Sequence, residues 1–402
     1  MKKRRTYALL VGAAGLSYVA WRAWQSCMEC SEPSPQGERD VLRYAQERRR
    51  LAVLGTVRSL AQAWALPESP VAEVLDALAA RAPAWLAPAA FAAPITAVSA
   101  LLELPVDFIE GYVTERRYGL TEQRPQAWLG DQLKGVALAT ALSAILATIG
   151  GAVIRRVPRA WPLVGAAISL PLLALGNIVV PLYVMPLFNR FEPIEGEIER
   201  RLRALAERYG CGNAEILKMN MSAQTTKANA FVIGIGSTHR IVIGDTLLDN
   251  FTPEEIEFVV AHELGHYVAH DTYRLMAAAE ALVTASLLFA ATLPENRDTA
   301  MRERPRFLAQ ISARVALAST LLRPLVLKLT RDRERAADRF AVAATGAPTW
   351  GVAAFERLAE QNLAEAESPR WYEILFASHP SLRERIAALR DAADAAEERA
   401  RS

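Results

Sequence analysis

Residues 259–271, VVAHELGHYVAHD, set three of the chain's five histidines, His262, His266 and His270, at four-residue intervals beside Glu263. On a helix, residues four apart stack one turn above another on one face. His262, Glu263 and His266 form the pattern H-E-x-x-H, in which two imidazoles share one zinc ion and the neighbouring glutamate reaches a water bound to it. The chemistry this spacing points to is metal-assisted hydrolysis with one Zn2+ per chain and Glu263 within reach of its water, and a chance match to the pattern is the alternative.

A catalytic zinc needs a third protein ligand and an open position for water. His270 does not suit if the helix continues, because eight residues rise about 12 Å and one ion cannot reach both His262 and His270. No glycine lies between His266 and His270 to turn the chain, so His270 is expected on the surface or behind a ligand. The better candidate lies downstream in TRDRERAADRFA (330–341), where Glu334 and Asp338 are again four apart. The first can ligate zinc while the second hydrogen-bonds a ligand imidazole and fixes its orientation. The alternative is an ordinary solvated helix face, for which DRERAADR carries enough arginines.

The elements that must position these groups are well marked. In FTPEEIEFVVAHELGHYVAHD, Thr252 suits an N-cap, Pro253 the first helical position and Glu255 the reciprocal capping-box carboxylate. HELGH then falls about two turns inside the helix. Upstream, EGEIERRLRALAERYG has a charged helical pattern that stops at Gly210. The runs AEILKMN, NAFVIGIG and, after GSTH, RIVIGD predict a small sheet with a hairpin. Residues 188–273 therefore read as a small soluble α+β part.

Elsewhere the chain is apolar. Hydrophobic residues make up 52% of the 402 and charged residues 22%, and several windows of about 20 apolar residues are long enough to cross a bilayer. The first follows the basic start MKKRR, lacks a small-x-small cleavage site, and reads as a retained anchor. Clearer spans lie at about 84–104, 133–154, 161–187, 274–293 and 307–329. Residues 51–66 are marginal, since Arg58 and Gln62 interrupt them, and an interfacial amphipathic helix is the alternative. The resulting division is 1–84 (anchor and marginal second span), 85–187 (transmembrane helices), 188–273 (soluble part), 274–329 (transmembrane helices) and 330–402 (C-terminal helical part with the third ligand). Counting 51–66 as a span puts the basic N-terminus, RRVPR (155–159) and the arginine-rich 294–306 loop on one side, as the positive-inside rule favours. Residues 188–273 and 330–402 then lie opposite.

A net charge of +2 without a basic run interleaved with aromatics excludes nucleic-acid binding. Three cysteines are too few for a disulfide framework. Cys27 and Cys30 read as incidental or as a local thiol pair.

HELGH followed by E-x-x-A-D (Glu334, Ala337, Asp338) resembles the integral-membrane zinc metalloproteases of the type I CAAX prenyl protease family. TERRYGLTEQRPQAWLGDQLK (114–134), VMPLFNRFEPIEGEI, KANAFVIGIG and SHPSLRERI (378–386) resemble further family segments, in the family's order, over roughly residues 100–390. Lys227 and Ala228 replace the usual residues ahead of Asn229. The resemblance implies seven transmembrane helices around a water-filled chamber capped by the zinc site, which supports counting 51–66 as a span. It makes His262, His266 and Glu334 the zinc ligands, Glu263 the general base and Asp338 an acid behind them, sometimes described as a proton donor. His379 and Arg385 match positions facing the site and become candidates for oxyanion or substrate contacts, with capping and surface pairing as the alternative. Asn229, Ala230 and Phe231 become the strand that holds an extended peptide, although the same run also suits a core-facing strand.

The expected activity is thus membrane-embedded zinc endopeptidase, acting on a peptide or protein substrate, prenylated or membrane-bound, in contact with lipid. Two alternatives stand beside CAAX processing: a broader quality-control protease, and a non-catalytic scaffold or transporter with a structural zinc. Three protein ligands with a spare carboxylate argue against a closed structural site, and sparse intramembrane charge argues against an ion path.

Overall fold

A computed structural model describes residues 37–297 and 303–401. The expected N-terminal anchor and the Cys27–Cys30 pair lie outside the described residues.

The first half is a helical bundle: α1 (Glu38–Ala65), the short α2 (Pro70–Ala79), α3 (Ala87–Phe108, continuing to Arg117), α4 (Pro125–Arg156) and α5 (Trp161–Val179). Among the described residues, four helical stretches are long and apolar enough to cross a membrane: Ala87–Arg117, Pro125–Arg156, Trp161–Leu187 and Asp271–Ala290. These agree with four of the expected spans. At 32 residues, α4 is about 48 Å long, more than the roughly 30 Å of a hydrocarbon core. The outer faces carry exposed Leu101, Leu142, Ile145, Leu163, Leu170, Leu175 and Leu288. A surface this apolar is tolerated where its neighbour is lipid rather than water.

The other two expected spans lie in helices that fall short of that apolarity. Residues 51–65 of this segment belong to α1, which runs alongside α3 through Gln62–Ser99 (2.6 Å) and Arg58–Glu103 (2.6 Å) contacts. Arg58 and Gln62, the two residues that lower its hydropathy, thus find partners on α3. Residues 307–329 open α10 (Phe307–Thr345), a single 39-residue helix. Glu334 and Asp338 therefore sit on the same rigid element as the expected last span. A cavity of about 760 Å³ opens between α1, α3, α4 and α10, lined by Arg58, Gln62, Ser99, Glu103, Asp107 and Ser143 on its polar side. None of the residues of the metal centre lines it, so it is not the chamber capped by the zinc site that the resemblance implies.

Between the two helical regions lies the α+β part: β1 (Phe191–Pro193), α6 (Glu197–Arg208), β2 (Glu215–Met219), β3 (Ala230–Ile233), β4 (Arg240–Gly244), α7 (Asp245–Asn250) and α8 (Pro253–Val268). The sheet order is β1-β2-β4-β3, with β2 and β4 parallel and the other pairs antiparallel. The β3–β4 hairpin appears as predicted, while β1, in the loop-like FEP, was not anticipated. Ile241, Ile243, Leu202, Leu205, Phe258, Val260 and Leu264 form the core that fixes α8 against the sheet.

Helix α8 begins as predicted: Thr252 Oγ1 accepts from Glu255 N–H, and Glu255 accepts from Thr252 N–H. Its end differs from expectation. The helix stops at Val268, and His270 turns the chain with φ 55° before α9 (Asp271–Ala290) begins. No glycine is needed, because His270 itself adopts the left-handed conformation, which few non-glycine residues do. Gly265 lets α8 approach α10 closely; a Cβ there would lie 3.1 Å from Ala337 Cα. The chain closes with α11 (Pro348–Gln361), α12 (Arg370–Phe376) and α13 (Leu382–Arg401).

Candidate metal centre and active site

The crossing of α8 and α10 brings HELGH and Glu334 together. His262 Nε2 lies 3.3 Å from Glu334 Oε2, and His266 Nε2 lies 3.4 Å from Glu334 Oε1. Ligand atoms of the three residues all fall within 4.8 Å of one another. Two atoms each about 2.05 Å from a tetrahedral ion are about 3.4 Å apart, so these separations suit a shared ion. Glu334 Oε2 is buried and makes no hydrogen bond, a costly state for a carboxylate oxygen unless a cation completes it. Burial works against the Glu334 charge, but the two imidazoles outweigh it and hold the carboxyl well below its ordinary range.

The far nitrogens of both rings are held by carboxylates. His262 Nδ1 lies 2.9 Å from Asp338 Oδ1. His266 Nδ1 lies 2.9 Å from Asp271 Oδ2. A carboxylate can only accept, so each Nδ1 carries a proton, which leaves each Nε2 as the atom that offers a lone pair to a metal once the ring is neutral. Asp338 is engaged further by Arg385, whose Nε and Nη2 donate at 2.8 and 2.6 Å. Arg385 also stacks on Phe355 at 4.1 Å and reaches to 3.8 Å from Glu334. Asp338 is thus occupied on both oxygens, which suits an orienting role better than proton donation.

Asp271 was missed from sequence. It stands at the first position of α9, its side chain is 3% exposed, and Arg274 and Arg333 pair with it at 3.2 and 2.9 Å. The signal that would have found it is the helix break at His270, which reading the helix as continuous concealed. His270 itself is exposed and packs beside Tyr273, consistent with the expectation that it does not ligate.

Glu263 faces a cavity of about 300 Å³ also lined by Ala228, Asn229, Ala230, His262, Glu334, Phe355, His379 and Arg385. Burial pushes its carboxyl above the ordinary range, partly offset by the two histidines and by the backbone N–H of Val232. A carboxylate shifted toward neutrality is suited to taking a proton. His379 Nε2 lies 3.5 Å from Glu334 Oε2, and its Nδ1 is 2.8 Å from Ser378 Oγ. Phe231, unlike Asn229 and Ala230, is not among the cavity-lining residues.

β3 is the edge of the sheet beside this cavity. The carbonyl of Asn229 accepts from Gly244 N–H at 3.0 Å. In an antiparallel ladder the inward-bonded residues alternate, so Ala230 directs its own N–H and C=O to the open edge.

Two family models match the chain: one described as Peptidase family M48, over residues 194–393, and one described as CAAX prenyl protease N-terminal, five membrane helices, over residues 39–190. The chain is similar to the uncharacterized metalloprotease YhfN of Bacillus subtilis, with 28% identity over 73% of this chain and 70% of the relative. It is also similar to the CAAX prenyl protease 1 homolog of Oryza sativa, 28% identical over 75% of this chain and 73% of the relative. Among solved structures, that of S. mikatae Ste24p superposes with a TM-score of 0.76 at 21% identity, covering 94% of this chain and 96% of that one, which shows a common fold. The five-helix domain, the apolar spans and the His-His-Glu cluster behind an open-edged strand agree with one conclusion: the chain belongs to the CAAX prenyl protease type of peptidase family M48 and is a multi-pass membrane metalloprotease.

Proposed function

We propose that the metal is a single zinc ion held by His262, His266 and Glu334, and that the protein cleaves prenylated C-terminal peptides of the CAAX class. The observation that carries the metal assignment is the convergence of two imidazole Nε2 atoms on a buried carboxylate with an unbonded oxygen. Two neutral nitrogens and one carboxylate are a donor set zinc favours, and three protein ligands leave a position open. When bound there, zinc polarises the scissile carbonyl and acidifies water.

The chain's own groups do the rest. Glu263 takes the proton from the attacking water onto its carboxylate and passes it to the departing amine nitrogen. His379 and Arg385 present positive or donor groups on the cavity side where negative charge develops on the carbonyl oxygen. Asp338 holds His262, and Arg385 holds Asp338. Ala230 offers its N–H and C=O to an extended peptide, with the Asn229 side chain beside it. The substrate class rests on the relatives named CAAX prenyl protease 1 and on a site that opens beside a lipid-embedded bundle.

The test uses detergent-purified protein, wild type beside Glu263→Gln, with a prenylated CAAX peptide and an unprenylated control. About one zinc per chain in both proteins is expected, with turnover in the variant down about 10²- to 10⁴-fold. Preference for the prenylated peptide supports the substrate class, and equal cleavage of both peptides refutes it. Absence of zinc from the wild type refutes the ligand assignment.

A further inference from the structure

Lys227 lies two residues before Asn229, and its ammonium reaches out of the protease part to the membrane bundle. Nζ donates to Tyr44 Oη at 2.8 Å and lies 2.6 Å from Glu115 Oε2, above the Tyr44 ring at 5.3 Å. Tyr44 Oη in turn donates to Glu115 Oε1 at 2.7 Å. Tyr44, on α1, is 6% exposed, and the Glu115 side chain 12%. With the Lys227 side chain 30% exposed, and Arg48 of α1 a further 3.8 Å from Glu115, the three groups form a half-buried triad between α1, the end of the α3 stretch and the approach to β3. Charge-assisted bonds in such surroundings are among the strong ones.

The next residue is held from the other side. Ala228 N–H donates to Asn362 Oδ1 at 2.8 Å, and Asn362 Nδ2 donates to Ala228 O at 3.1 Å. Asn362 caps α11, the chain turns at Leu363 with φ 50°, and Glu365 just beyond pairs with Arg49 of α1. Both ties on the approach to β3 thus lead to the same membrane-domain helix. This matters because β3 has a sheet neighbour on one side only. Its outer edge, where Ala230 is open, gains no positional restraint from the sheet.

We infer that Lys227 is a positioning residue for peptide binding: by locking onto Tyr44 and Glu115 it fixes the β3 edge relative to the membrane bundle, and so sets where a bound peptide lies over the metal centre. This rests on the reading of β3 as the substrate strand. Lys227 touches no reacting atom, so its loss weakens peptide binding and leaves metal and proton transfer in place.

The experiment measures KM, kcat, zinc content and the melting temperature of the detergent-purified protein, using the cleaved CAAX peptide. Lys227→Ala is expected to raise KM about five- to twenty-fold with kcat within about twofold, as for loss of a binding interaction made equally in ground and transition states. Zinc content stays unchanged, and Lys227→Arg recovers most of the KM because its charge still reaches Glu115. Lys227→Ala combined with Glu115→Gln is expected to be no worse than Lys227→Ala alone, since the glutamine still accepts from Tyr44 and no longer leaves a half-buried carboxylate without its ammonium. An unchanged KM in Lys227→Ala overturns the inference, as does a fall in kcat at constant KM with a lower melting temperature, which marks a loss of folded enzyme. Ala230→Pro separates the two levels, because it removes the open-edge N–H while leaving the inward ladder bonds. If Ala230→Pro leaves KM unchanged, the strand reading itself fails; if it raises KM while Lys227→Ala does not, only the role of Lys227 is lost.

Discussion

Replacing Asp271 by alanine removes the carboxylate that holds the Nδ1–H of His266 at 2.9 Å. The ring then loses the partner that fixes both its tautomer and its rotation, and Nε2 is presented to the metal for only part of the time. Asp271 is 3% exposed, so water does not substitute for it in place. A hydrogen bond to a charged partner contributes about 1.5–3 kcal/mol. At about 1.4 kcal/mol per factor of ten, that corresponds to roughly 10- to 100-fold in metal affinity. Asp271→Asn keeps an accepting oxygen without the charge and is expected to cost less than about tenfold. The assay is competition with a chromophoric chelator on metal-stripped protein, with the melting temperature of the metal-free forms recorded beside it, because the change also leaves Arg333 without its carboxylate. Wild-type zinc affinity in Asp271→Ala refutes the orienting role. A loss of affinity matched by an equal loss in the metal-free fold assigns Asp271 to the architecture instead.

Two further perturbations follow from the same contacts. Gly265→Val places side-chain atoms where even a Cβ lies 3.1 Å from Ala337 Cα and 3.2 Å from Phe340 Cβ, so α8 and α10 must separate. The expected cost is about 1–3 kcal/mol in thermal unfolding, with zinc content falling because the helices carry different ligands; an unchanged melting temperature counts against the tight crossing. In the metal-free protein, burial disfavours charge on His262, but Asp338 and Glu334 outweigh it and raise its pKa to about 9. A raised folded-state pKa stabilises the metal-free fold fully below the ordinary value of about 6.5 and is lost as pH climbs through about 9. Zinc needs the ring neutral, so its apparent affinity rises over that same window. Melting curves and chelator titrations from pH 6 to 9.5 are expected to move in opposite directions, and a metal-free melting temperature that climbs with pH contradicts the argument.

Much of the site is legible in the sequence. His262, Glu263 and His266 announce themselves because a helix repeats every 3.6 residues, and a strongly signalled start at Thr252–Glu255 fixes which residues share a face. Glu334 and Asp338 were legible only as a pair at helical spacing, with a solvated face as the rival, until α10 was seen to bury both against HELGH. Arg385 could be nominated from the resemblance, but not its grip on Asp338. The 51–66 segment was ambiguous because Arg58 and Gln62 lower its hydropathy, while in the bundle those two groups face Glu103 and Ser99.

Taken alone, the sequence determined the chemistry and the local elements: the imidazole pair and its glutamate, the helix that carries them, the small sheet, and the apolar spans. These depend on short-range repeats of about two or 3.6 residues and on runs of about 20. Only the tertiary structure decided what depends on groups distant in the chain or on a single departure from regularity. His270 breaks the helix and delivers Asp271 to His266, a turn no glycine announced. Lys227 meets Tyr44 across 183 residues of chain, and Asn362 meets Ala228 across 134. Such contacts arise from packing, in which side chains with no sequence periodicity in common are brought to within 3 Å by the helices and strands that carry them.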